Sequence, residues 1–337
     1  MSRLAGALGS LTVGQRRSLA AGLLVGVPLS ALFLVLALRN VDLAEVGTAL
    51  RGSRPPLVAA GCAAIACVYV LQATRWRRLA ATPQVPVPRM TAMVVGAVAC
   101  NNVLPGRLGD LLRARWLGRA AGVPGGRALA SVVLDRGADV LALVAFLLAS
   151  LAFVADASWL RWIAAGGLVL LALLAALLLF ARLYAGTRAR ERRERRSRLR
   201  RIVRDLVEGL AEPLGPRRAA GLAALSLAAW SCWAAAGWLV ARSLGIELSV
   251  DEALFLTAVL NLGVAVPSSP GFIGTYQWLG VSALGLLAVE REEALAFSIL
   301  MHAVWYVPTT LAGAAILVAG GARRLRRHGA RQPSARS

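Results

Sequence analysis

Two apolar stretches of this 337-residue chain are interrupted by proline and glycine where they would lie inside a bilayer. The first runs from Met90 through Cys100 into Asn101-Asn102-Val103-Leu104-Pro105-Gly106-Arg107-Leu108-Gly109-Asp110. The second runs from Ala253 through Val266 into Pro267-Ser268-Ser269-Pro270-Gly271-Phe272-Ile273-Gly274. In hydrocarbon every backbone N–H and C=O needs an internal partner, so unwound chain is tolerated only where protein or a water-filled cavity surrounds it. Paired interruptions in two halves of a hydrophobic chain point to a substrate pathway.

The rest of the chain supports a membrane setting. Hydrophobic residues make up 58% and charged residues 16%, a balance that excludes a soluble globule. Runs of about 20 apolar residues span a hydrocarbon core, and such runs lie near 19–38, 56–74, 128–155, 160–181, 219–241 and 294–320. The limb 107–127 that follows the first break carries Arg107, Asp110, Arg113, Arg115, Arg119 and Arg127, too many charges to face lipid. The expected fold is an all-α integral membrane protein with about six full transmembrane helices plus two re-entrant hairpins, about eight hydrophobic elements in all. The second break also admits a reading as two full spans, over 253–289.

Arginine sets the orientation. If the first hairpin returns to the side it came from, segments 1–18, 75–90, 104–127, 182–218 and 321–337 share one side and hold 3, 4, 5, 13 and 6 arginines, 31 of the chain's 38. By the positive-inside rule that side is the cytoplasm. Both termini are then cytoplasmic in a cell inner membrane. The acidic flanks Glu247, Asp251, Glu252, Glu290, Glu292 and Glu293 face outward, so the second hairpin opens the other way, as in an inverted repeat. The expected organisation is a first membrane half, 1–181, a cytoplasmic Arg-rich linker, 182–218, a second half, 219–320, and a disordered basic tail, 321–337. Within the linker, apolar residues at 199, 202, 203, 206, 207 and 210 predict an amphipathic helix at the interface.

The same residues exclude much chemistry. The chain has no lysine, so neither a P-loop nor a Schiff base is available. Cys62, Cys67, Cys100 and Cys232 sit in apolar runs without metal-ligand spacing, and no metal or cofactor is expected. No HExxH, GxSxG or GxGxxG pattern occurs, and the chain is expected not to be an enzyme. Arginines set between bilayer-length runs are orientation signals, so nucleic acid is not an expected partner.

The breaks carry the candidate site. Pro105 and Gly106 turn the chain, and Asn101 and Asn102 offer amides to freed backbone or to a ligand. Arg107 and Arg113 either bind a lipid phosphate through their forked guanidinium or act, like Arg115 and Arg119, as interfacial anchors. Asp135, Arg136 and Asp139 put both acids on one helical face, with Arg136 able to reach Asp139 at i+3. They serve either as a structural ion pair or in substrate or proton handling, with Asp110 nearby in sequence to the break. Around Pro267, Pro270, Gly271 and Gly274, the polar residues Asn261, Ser268, Ser269, Tyr276 and Gln277 either hold a headgroup or satisfy unwound backbone. His302 reads as a hydrogen-bonded packing residue.

Three spaced signatures, Asn101-Asn102-x-Leu-Pro-Gly-Arg-x-Gly-Asp110-x-x-Arg113, Ser131-Val-Val-Leu-Asp135-Arg136-x-x-Asp139 and Val266-Pro-Ser-Ser-Pro-Gly271-x-x-Gly274, resemble the lysylphosphatidylglycerol synthetase transmembrane domain family. This is the flippase-like domain of bacterial lipid-aminoacylating proteins and of stand-alone relatives. The chain departs from the family pattern with Asp110 in place of Glu, Phe272 in place of Gly and Gln277 in place of Glu. The resemblance implies lipid translocation rather than aminoacylation, since the residues after 320 are too few for a soluble transferase domain. The expected function is therefore a lipid translocase acting on a phospholipid, aminoacylated lipid, glycolipid or polyprenyl-phosphate lipid, with anionic or phosphate-bearing headgroups as partners. The alternatives are an intramembrane lipid-modifying transferase and a non-catalytic subunit of a membrane enzyme.

Overall fold

A computed structural model describes residues 27–104, 108–150, 165–183 except 170, 174, 178 and 182, 198–212, 215–264 and 269–329. Twelve α-helices lie among them: α1 Val27–Leu38, α2 Leu43–Arg51, α3 Pro55–Leu79, α4 Val87–Val103, α5 Leu108–Ala121, α6 Gly125–Ser150, α7 Ala165–Ala181, α8 Arg198–Ala211, α9 Pro216–Ser243, α10 Val250–Gly263, α11 Thr275–Gly285 and α12 Arg291–Gly329. No strand occurs among the described residues. The fold is all-α, as the composition requires.

Local chemistry places the helix starts. Proline opens α3, α4 and α9 at the first or second position, where its missing N–H has no intrahelical partner to lose. Asp42 caps α2 by accepting from Ala44 N at 2.7 Å. Ser249 and Glu252 form a reciprocal capping box at the start of α10.

Helices α3 and α9, with the stretch Arg291–Gly320 of α12, are long and apolar enough to cross a membrane, and the pair α1–α2, bent by 85°, would count as a fourth span. This is fewer than the six expected. Parts of three predicted spans, 19–26, 151–155 and 160–164, lie outside the described residues, and Asp135, Arg136 and Asp139 break the apolar run of α6. Between the first and second predicted spans lies the short helix α2.

The two breaks are real interruptions. α4 ends at Val103, Leu104 is extended, and α5 resumes at Leu108, packed so closely on α4 that a Cβ on Gly109 would run into the Ala97 carbonyl. Around the second break, Gly271, Phe272 and Gly274 have φ of 77°, 60° and 87°. α10 and α11 have 14 and 11 residues, about 21 and 17 Å at 1.5 Å per residue. Neither spans a core of about 30 Å alone, which favours a hairpin over two full spans.

Small residues set the tightest contacts, as is usual between membrane helices. Gly61 brings α3 against Ala236 and Val240 of α9, and Gly313 brings α12 against Ala99 of α4. The predicted amphipathic helix exists as α8. It does not lie free at an interface: Gly126 of α6 admits its backbone at Ile202 and Leu206, and Leu210 is buried with Ala130 and Ala181.

Candidate functional site

Six charged side chains from three helices meet inside the bundle. α6 contributes Asp135, Arg136 and Asp139, α5 contributes Asp110 and Arg113, and α3 contributes Arg75. Arg75 is fully buried and organises the group. Its Nε donates to Asp135 Oδ1 at 2.9 Å, Nη2 to Asp139 Oδ1 at 2.7 Å and to the Asp135 carbonyl at 3.1 Å, and Nη1 to Ser226 Oγ on α9 at 3.0 Å. Trp230 of α9 adds an indole N–H to Asp139 Oδ1 at 3.2 Å.

The second oxygen of Asp135 accepts from Arg113 Nη2 at 2.9 Å, and that guanidinium lies 4.5 Å above the Trp76 ring. Trp76 is itself pinned to α6 by its indole N–H to Ser131 Oγ at 3.0 Å. Stacking on an aromatic face suits a buried guanidinium because the ring's negative face replaces lost hydration. The three arginines and three aspartates cancel in charge, the condition under which ions are tolerated in a low-dielectric interior.

The exception to this sealing is Arg136. Its guanidinium grips Asp110 through Nη2 at 2.8 Å and Nε at 3.3 Å and reaches Asp139 through Nη1 at 3.3 Å. Yet its side chain is 39% exposed, against 0% and 2% for Arg75 and Arg113. The cluster therefore has a closed end at Arg75 and an open end at Arg136 and Asp110.

Asp110, Arg113, Asp135, Arg136 and Asp139 thus come together, and Arg136 pairs with Asp139 at i+3 as the spacing predicts. The other candidates serve the breaks. Asn101 Oδ1 accepts from Gly109 N at 2.7 Å, and Asn102 Nδ2 donates to Thr310 Oγ1 at 2.8 Å. Asn261 Nδ2 donates to the Thr257 carbonyl at 2.8 Å. Ser269 donates its backbone N–H to Ser30 Oγ at 2.7 Å, and its hydroxyl to the Ile273 carbonyl at 3.3 Å. Gln277 Oε1 caps Gly274 N at 2.7 Å while its Nε2 lies 3.0 Å from His302 Nδ1. Tyr276 is buried against His302 and Trp305. Pro270 opens a short 3-10 turn at the break. Pro105, Gly106, Arg107, Pro267 and Ser268 lie outside the described residues.

The two breaks meet. Tyr306 of α12 donates from its hydroxyl to the Asn102 carbonyl at 3.4 Å, and its ring comes within 3.0 Å of where a Cβ on Gly271 would sit. From there a run of rings, Tyr306, Trp305, Trp233 and Trp230, leads to Asp139.

The description "lysylphosphatidylglycerol synthase TM region" matches residues 19–313. The chain belongs to this family. It is also similar to "Glycosyltransferase AglD" of Haloferax volcanii, 26% identical over 348 residues that cover 90% of this chain and 55% of that protein. The chain thus spans about half the length of this curated relative. A relative named as a transferase over nearly all of the present chain overturns the expectation that the chain is not an enzyme. Family and relative together mark a membrane protein concerned with lipids.

Residue spacing missed Arg75, Trp76, Ser226 and Trp230. A span that ends at residue 74 puts Arg75 in a cytoplasmic loop, although no glycine or proline stands between it and Pro83. α3 continues to Leu79 and carries it inside. The absence of a helix breaker was the available signal; the α9 partners had none.

Proposed function

We propose that this protein binds the phosphate-bearing headgroup of a membrane lipid at the open end of the ionic cluster and passes it between leaflets along the line joining the two breaks. The observation that carries this reading is the half-exposed Arg136, held against Asp110 at the mouth of an otherwise sealed group. A guanidinium fork matches phosphate oxygens bidentately. An arriving phosphate competes with Asp110 for Arg136, so the headgroup exchanges one anion for another instead of facing an uncompensated charge. Arg107, the residue immediately before α5 in sequence, is a further guanidinium available to the displaced carboxylate. The lipid tails stay in the bilayer while the headgroup passes protein.

The test is transbilayer movement in proteoliposomes carrying labelled anionic and glycosylated lipids. Faster flip than in empty vesicles, reduced at least tenfold by Arg136→Gln, is the expected result. Rates equal to those of empty vesicles for every headgroup reject the proposal.

A second reading, glycosyl transfer to or from a lipid inside the membrane, is favoured by the name of the Haloferax relative. Incubation with labelled sugar donors and lipid acceptors, followed by lipid mass spectrometry, separates the two. A new glycolipid with no transbilayer movement supports transfer, and movement of an unchanged lipid supports translocation.

A further inference from the structure

An arginine-lined cavity lies apart from the ionic cluster and shares no residue with it. Its volume is about 510 Å³, and it opens between the end of α1, the middle of α11 and the first residue of α12. That size falls within the range of about 300–1,000 Å³ typical of small-molecule sites. Arg39, Asn40, Ser282 and Arg291 line it beside Leu36 and Trp278.

The charge pattern here is unlike that of the cluster. Arg291 donates from Nη2 to the Leu36 carbonyl at 2.7 Å, which satisfies a free carbonyl at the end of α1. Neither Arg39 nor Arg291 is paired with a carboxylate among the described residues, although acids are close in sequence. Glu292 instead accepts from the backbone N–H of Asp42 at 3.4 Å. Among the described residues, two guanidiniums therefore share one cavity with no carboxylate in salt-bridge contact with either. Next to the cavity, α1 presents Leu32, Val35 and Leu38 outward, exposed by 53%, 63% and 37%, and Phe33 stacks on Trp278 at 4.6 Å. A tryptophan and two arginines beside an outward apolar face form the pattern that meets a lipid where headgroup joins tail.

We infer that this cavity binds the phosphate of an anionic phospholipid, with Arg39 and Arg291 on the phosphate and the tails along Leu32, Val35 and Leu38. Basic pockets between membrane helices bind acidic headgroups in this way. The bound lipid adds a second bridge between the end of α1 and the start of α12, which the Arg291–Leu36 bond also joins. The site does not depend on the proposed transport role.

The test uses the full chain in detergent, with short-chain phosphatidic acid, phosphatidylcholine of equal chain length, and inorganic phosphate as probes, read by native mass spectrometry and by thermal midpoint. Phosphatidic acid is expected to bind and to raise the midpoint. Arg39→Gln is expected to weaken its retention at least fivefold. Gly285→Leu puts an apolar side chain into the cavity with the charges intact, and a Cβ on Gly285 meets no atom within 4 Å, so no neighbour has to move to admit it. It should lose the lipid equally. Arg136→Gln should retain the lipid here, which separates this site from the transport reading. Equal retention in wild type, Arg39→Gln and Gly285→Leu overturns the inference. Competition by inorganic phosphate as strong as by the lipid overturns the assignment to a lipid.

Discussion

At the residue scale, the two arginines of α6 and α3 differ in what they hold together. Removing Asp135 leaves Arg75 and Arg113 buried without their shared carboxylate, and breaking a buried ion pair from one side costs about 3–5 kcal/mol. Asp135→Asn is therefore expected to lower the thermal midpoint sharply and reduce the yield of monodisperse protein on size-exclusion chromatography. Arg136 is 39% exposed, so water takes over part of its role when it is removed, and Arg136→Gln is expected to lower the midpoint less than Asp135→Asn does. The split is the informative measurement: Asp135→Asn loses fold and function together, whereas Arg136→Gln keeps the fold and loses lipid movement. Equal midpoints for the two variants would contradict the assignment of a closed and an open end. The acids and Arg136 were legible in the sequence because charges within an apolar run are conspicuous. Arg75 was not, because its helix outlasts its apolar run, and only packing against α9 takes the charge inside.

At the element scale, the breaks depend on close backbone approach. Gly274 has φ of 87°, and a Cβ there would run into the Ser30 carbonyl of α1. A side chain at left-handed angles costs about 1–2 kcal/mol before any clash, so Gly274→Ala should destabilise by more than that, measured as a lower denaturation midpoint. The helix α8 offers a different check. Its pairing with α6 passes through Gly126, where a Cβ would meet the backbone of Ile202 and Leu206. Gly126→Leu should separate the two helices and speed proteolysis of 198–211, leaving the melting of the remaining bundle little changed. Helical periodicity alone identified α8 as amphipathic. It could not say that part of its apolar face meets protein instead of lipid, because both environments select the same residues.

At the scale of the whole molecule, the arginine-rich and acidic ends predict the sidedness of the chain. With the native cysteines replaced, cysteines at Arg89 and Arg127 should react with an impermeant thiol reagent only from the cytoplasmic side of membrane vesicles, and those at Arg51 and Asp251 only from the other. Labelling of all four from one side would contradict the orientation read from the arginines.

What the sequence determined alone was the environment and the places of failure in the helices. Apolar run length and the cost of unpaired backbone in lipid are local properties, so an all-α membrane fold with breaks near Pro105 and Pro270 follows from the residues themselves. What tertiary structure decided was which broken and charged segments face each other. The meeting of Asn102 and Gly271 at Tyr306, and the gathering of Arg75, Arg113 and Arg136 around three aspartates, join residues as much as 204 positions apart. Pairings of that kind depend on how helices pack against one another, and similar apolar surfaces on every helix leave no mark of the partner in the chain.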